Sequence, residues 1–145
     1  MKIERITVSA VVHSTEDREK VAEAMATIFP FEFEITATDA KGHFGNPLTY
    51  LEVVLTKKKQ IKDFWNNLMN LLGDQRKFLI NTIDERIDDQ GVLFIRIDKQ
   101  KAYMGEVELI EGGDSIVIKA KIVTYPAKRQ KIIEYAKEFI EKGYG

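Results

Sequence analysis

From residue 3 to 13 the chain alternates: Ile6, Val8, Ala10 and Val12 fall on one face and Arg5, Thr7, Ser9 and Val11 on the other, the period of a half-buried strand. Ser14 and Thr15 then offer capping oxygens and Glu16 and Asp17 suit the positive end of a helix. Val21, Ala24, Met25 and Ile28 form the apolar stripe of that helix, which stops before Pro30. Phe31, Phe33, Ile35 and Ala37 alternate with Glu32, Glu34 and Thr36 and predict a second strand. Residues 48–55 predict a third, after a turn-rich connection over 41–47. Thr56 can cap a helix whose apolar positions are Ile61, Phe64, Trp65, Leu68, Leu71 and Leu72, with Gly73 placed to end it. Asp74 can cap another carrying Phe78, Leu79, Thr82 and Ile83. Strands are predicted over 92–98, 105–110 and 115–124, the last two as a hairpin turning at 111–114. Pro126 fits the first position of a closing helix whose buried face is Ile132, Ile133, Ala136, Phe139 and Ile140. The order β-α-β-β-α-α-β-β-β-α predicts an α+β fold, a mainly antiparallel sheet with helices packed on one face.

Composition narrows this pattern. At 145 residues, residues 1–145 are expected to make a single α+β domain. The absence of cysteine excludes disulfides, thiolate nucleophiles, iron–sulfur clusters and cysteine-ligated zinc, and suits a reducing compartment. The N-terminus has no apolar signal core and no run approaches the roughly 18 apolar residues of a membrane span, so a cytoplasmic protein that does not enter membranes is expected. The net charge of −1 supplies no global basic field, so affinity for a polyanion must come from where the cations stand.

Their placement is suggestive. If Leu93, Ile95 and Ile97 point inward, Phe94, Arg96 and Asp98 share the outer face, where Lys119 and Lys121 of the later strand also fall. An aromatic plate beside cations can stack a base and hold its phosphate, although a solvated sheet face has the same polarity pattern. Lys57, Lys58 and Lys59 open one predicted helix, and Lys128, Arg129 and Lys131 open another. A cation at the positive end of a helix costs about 0.3–1 kcal/mol, and a bound phosphate, met there by free amides, would account for that arrangement. A screened charge run tolerated at little cost is the alternative. Lys99, Gln100 and Lys101 follow the Arg96 strand and extend the same basic neighbourhood. Chemistry is harder to build. His13 and His43 lack metal-ligand spacing, residues 42–45 lack the spacing of a phosphate-binding glycine loop, and neither a metal nor a cofactor is expected. Only Asp84, Asp88, Asp89 and Asp98 offer material for a magnesium-dependent nuclease.

The segments His43-Phe-Gly-Asn-Pro47, Phe94-Ile-Arg-Ile-Asp-Lys-Gln100 and Thr124-Tyr-Pro126 before a basic helix resemble an archaeal RNA-binding domain family whose members are often labelled predicted exosome subunits. That resemblance covers essentially the whole chain. It implies a fold like that of a ribosomal protein and an RNA-binding role without a named reaction. It matches His43, Gly45, Asn46, Pro47, Arg96, Asp98, Lys99 and Gln100 to the family's segments, with Arg96, Lys99, Gln100 and His43 as RNA contacts.

The expectation is a non-enzymatic RNA-binding protein associated with RNA processing. Lys57, Lys58, Arg96, Lys128 and Arg129 would hold phosphates, with Lys99 in the same basic stretch and Phe94, Gln100 or His43 on a base. The alternative is a protein–protein module that docks on an RNA-processing or translation assembly through Phe31 and Phe33 or an edge at Tyr50.

Overall fold

The computed structural model describes residues 1–145. Five strands form one antiparallel sheet: β1 (Lys2–His13), β2 (Thr36–Lys41), β3 (Pro47–Leu55), β4 (Val92–Asp98) and β5 (Ser115–Val123), in the order β2-β3-β1-β5-β4. The helices are α1 (Arg18–Ala26), α2 (Lys58–Leu72), α3 (Arg76–Asn81), α4 (Ile83–Arg86), α5 (Lys99–Tyr103) and α6 (Arg129–Lys142). The α+β architecture with one covered sheet face is the one the alternation predicts.

The covered face joins the inward residues of β1, β3, β4 and β5 to the apolar stripes of α1, α2 and α6 in a single core. Hydrogen bonds tie the helices to one another: the Trp65 indole donates to the Phe139 carbonyl at 2.9 Å, and Asn67 Nδ2 to the Ile28 carbonyl at 3.0 Å. Buried donors are thereby satisfied inside an otherwise apolar layer.

Several elements depart from the sequence pattern. Phe31, Phe33 and Ile35 precede β2 instead of forming it, because the two phenyl rings gather on Phe29, whose ring stacks on Phe33 at 4.1 Å, lies 6.0 Å from Phe31 and meets Phe64 of α2 at 4.8 Å. Burying three rings together outweighs continuing the alternation as a strand. Asp17, not Ser14 or Thr15, caps α1, accepting from the Glu19 amide. The helix expected after Asp74 begins as a 3-10 turn and breaks at Thr82 into α3 and α4. No strand forms over 105–110. The side chain of Gln75 donates to the Val107 carbonyl and accepts from the Leu109 amide, both at 2.8 Å, taking the place of a neighbouring strand. Strand β5 therefore pairs with β1 and β4. Residues 99–103, for which no element is predicted, form α5, capped by Asp98. Pro126 lies ahead of α6, after a cis bond from Tyr125, and Lys128 holds the cap position.

The outer edge of β4 is covered in two places, by a bridge from Ile87 to Leu93 and another from Leu109 to Ile97. Gly91, at the start of β4, has φ +79, and a Cβ there would lie 2.9 Å from the Ile122 carbonyl oxygen. Only glycine lets the chain turn this close to β5.

Candidate nucleic-acid interface

Strands β3 and β5 run opposite to β1, so both finish beside its beginning, with Leu55 opposite Ile6 and Val123 opposite Lys2. The helices that follow them, α2 and α6, consequently start at the same end of the sheet. Neither start has a side-chain cap or an acidic residue in its first turn; Lys57 and Lys128 occupy the cap positions. Lys58 is exposed, while Lys59 pairs with Asp63 one turn along, at 3.2 Å. Unfilled amides and exposed ammonium groups are the elements of an anion site.

The open face continues this cationic end. Arg5 stands opposite Lys121, and Thr7 lies between Val54 and Lys119, with Phe94 next across the row. Lys119 Nζ sits 5.6 Å from the centre of the Phe94 ring, within cation–π reach. One row further along are Glu52, Ser9, Val117 and Arg96. Arg96 and half-buried Phe94 border a cleft of about 510 Å³ with Glu85, Arg86, Ile87, Asp88 and Glu111. Arg86 donates to the Thr82 hydroxyl at 2.8 Å and lies over the Phe78 ring. Burial lowers its pKa from the ordinary arginine value, while Glu111 and then Glu85 act in the other direction.

Arg129, at the first turn of α6, has another duty. Its guanidinium donates to the carbonyls of Asp84 at 2.7 Å and Ile87 at 2.9 Å, fastening the end of α4 to α6. It supports the cleft wall, and most of its donors are directed at protein.

The opposite end of the sheet holds Lys99, Gln100 and His43. Lys99 is 2% exposed. Its ammonium bonds Glu16 Oε1 at 2.8 Å, Asp114 Oδ2 at 2.7 Å and the Val11 carbonyl at 2.8 Å. With three acceptors and no solvent access, it is not placed to meet RNA, a correction forced by partners distant in sequence. Burial would raise the Glu16 carboxyl, but the Lys99 hydrogen bond, the His13 amide and the Lys99 charge bring it below its ordinary value. His13 Nε2 stands 3.5 Å from Asp114 Oδ1, so His13, Glu16 and Asp114 converge as metal ligands would, yet the Lys99 ammonium already supplies the cation. Gln100 is exposed beside α1, and His43 is exposed in the β2–β3 turn, its ring edge-on to Phe44 at 4.9 Å. Phe94 and Arg96 thus lie on the open face near Lys119; Lys57, Lys58 and Lys128 stand at helix starts at the end of the sheet where β1 begins; and Lys99, Gln100 and His43 lie at the other end. Asp88 and Asp98 flank opposite ends of β4, and their carboxylates are taken up by the backbone amides of Val92 and Lys101. Arg5, absent from the expected contacts, is paired with Lys121 across β1 and β5, and its outward position in β1 was the available signal.

Such a sheet, helix-backed on one side and open on the other, defines an α+β protein. A family model described as RNA binding matches residues 5–122, and the chain belongs to that family. It is similar to the RNA-binding protein PAB1135 of Pyrococcus abyssi, 36% identical over 97% of this chain and 96% of that one. Among solved structures it resembles the protein AF2318 of Archaeoglobus fulgidus, with a TM-score of 0.91 and 64% identity over 94% of this chain and 99% of that one. It also resembles Mth689 of Methanothermobacter thermautotrophicus, with a TM-score of 0.81 and 33% identity over 96% and 98% of the two chains. No helix is long and apolar enough to cross a membrane.

Proposed function

We propose that this protein binds RNA without catalysing a reaction on it, across the cationic end of its open sheet face. The observation that carries the reading is that two uncapped helix starts, at Lys57 and Lys128, stand at the end of the sheet where Arg5 of β1 is paired with Lys121 of β5. Lys57, Lys58, Lys128 and Arg96 hold phosphates, and Phe94 meets a base. Local placement replaces the missing global charge: with a net charge of −1, attraction is confined to one end of the molecule. Family membership and the name of the Pyrococcus relative support this reading. Anisotropy titration of a labelled RNA over a salt series tests it. Affinity should fall linearly in log–log form as counterions compete; affinity absent at low salt, or insensitive to salt, would refute it.

Association with an RNA-processing assembly, the exosome among them, is the finer part of this proposal. A protein-docking reading has one observation in its favour: Tyr50 and Val54 project from the open face at 48% and 49% exposure. Phe31 and Phe33 do not add to it, since both pack against the core. Pull-down from lysate with and without nuclease separates the two. A partner retained after nuclease treatment docks on protein, and one lost was tethered through RNA.

A further inference from the structure

The cleft at the β4 edge combines groups that a phosphate site alone does not need. Phosphates are bound by donors, yet two carboxylates, Glu85 and Glu111, line this cleft with Arg86, Arg96 and the Phe94 ring. No ion pair of the chain includes Glu85, Glu111 or Arg96; Glu111 and Glu85 act on the Arg86 guanidinium across the cleft without closing an ion pair with it. Asp88 differs, because its Oδ1 already accepts from the amides of Gln90 and Val92 at 2.9 and 3.0 Å. The volume of about 510 Å³ lies within the roughly 300–1,000 Å³ of ligand sites.

A carboxylate accepts hydrogen bonds and repels phosphate, so its natural ligand on RNA is a base edge rich in N–H groups. Among the four bases, guanine presents two adjacent donors, N1–H and the N2 amine, that match both oxygens of one carboxylate. Its other edge, O6 and N7, is the pair that arginine reads bidentately. Phe94 offers a ring on which a purine stacks, and Lys119 stands on the neighbouring strand for a flanking phosphate, while the Lys121 ammonium donates to the Gln90 carbonyl. Carboxylate, arginine and phenyl group therefore share a cleft bordered by cations.

The geometry points to this cleft as the receptor for a single unpaired guanine of the bound RNA, stacked on Phe94, with its N1–H and N2 amine donated to Glu111 or Glu85 and O6 and N7 facing arginine. This deepens the RNA-binding reading and rests on it. A base inside a duplex has its donor edge paired, so the preferred RNA is single-stranded or looped there.

The test is anisotropy with labelled 12-residue oligouridylates carrying one central guanine, adenine, cytosine or inosine. The guanine oligomer should bind about tenfold more tightly than all-uridine RNA, and inosine, which lacks the N2 amine, should fall between them. In E85Q/E111Q, which alters only exposed side chains, guanine preference should shrink below about twofold while affinity for all-uridine RNA holds or rises. F94L should weaken every oligomer. Equal binding of all four by the unaltered protein, or a guanine preference that survives E85Q/E111Q, overturns the cleft assignment and leaves RNA binding intact. Failure of every oligomer, and of structured RNA, to bind at low salt overturns both.

Discussion

The two ends of the sheet use lysine in opposite ways. Where β1 ends, Lys99 is withdrawn from water and surrounded by Glu16, Asp114 and the Val11 carbonyl. Where β1 begins, Lys57, Lys58 and Lys128 remain in solvent, at helix starts whose dipoles disfavour them. One end is satisfied internally and contributes to stability; the other leaves its ammonium groups and helix-start amides to solvent. Charge counting cannot distinguish them, because it is the acceptors within reach that assign each cation its role.

The contrast is broken most severely at Lys99. Lys99→Met leaves Glu16 and Asp114 without their cation and should lower unfolding free energy by about 3 kcal/mol in urea titration, with RNA affinity of the folded protein unchanged. The Glu16 carboxyl, held below its ordinary value of 4.5, adds a pH signature. Its contribution is fully present above that ordinary value and disappears as pH falls through the lower folded value. Denaturation followed across this acid range should show a drop that Glu16→Gln flattens.

The opposite outcome is expected at the other end. A Lys57→Ala/Lys58→Ala/Lys128→Ala variant should keep its unfolding midpoint while the salt slope of RNA binding becomes shallower by about 2, on the basis of roughly 0.7 per phosphate contact. An unchanged slope would remove these lysines from the interface. Lys128→Asp sharpens the comparison further, because it provides the cap that α6 lacks: stability should rise by about 1 kcal/mol as RNA affinity falls. The smallest effect is expected at the exposed His43. His43→Ala should alter stability by less than about 0.5 kcal/mol and leave affinity within about twofold; a larger loss of affinity would extend the interface to the far end of the sheet.

Alternation and apolar stripes made the strands β1, β3, β4 and β5 and the helices α1, α2 and α6 legible, because each buries one face of a regular element. What was not legible depended on contacts between distant residues. Lys99 read as part of a basic stretch, since its partner Glu16 is 83 positions away. The 105–110 segment looked like a strand, and only the fold reveals that it makes a single bridge to β4 while a glutamine amide bonds Val107 and Leu109 on its other side. Arg129 belonged to a basic run, but the carbonyls that hold it come from α4. Phe94 and Arg96 were readable as outward residues of β4, whereas Glu85 and Arg86 of α4 and Glu111 of the α5–β5 loop join them only in the folded chain. Asp98 ahead of Lys99-Gln-Lys101 was an overlooked capping signal for α5.

The bridges at Ile87 and Leu109 have a consequence for how the molecule meets its own copies. A sheet with two bare margins can template another chain at either side. Here one margin is partly sheathed, at Leu93 and at Ile97, leaving β2 as the uncovered side. That strand is six residues long, exposed along most of its length, and carries Asp39 and Lys41. Short, polar and charged, it is a poor template for fibre growth, so the chain can present an open sheet face without inviting edge-to-edge stacking.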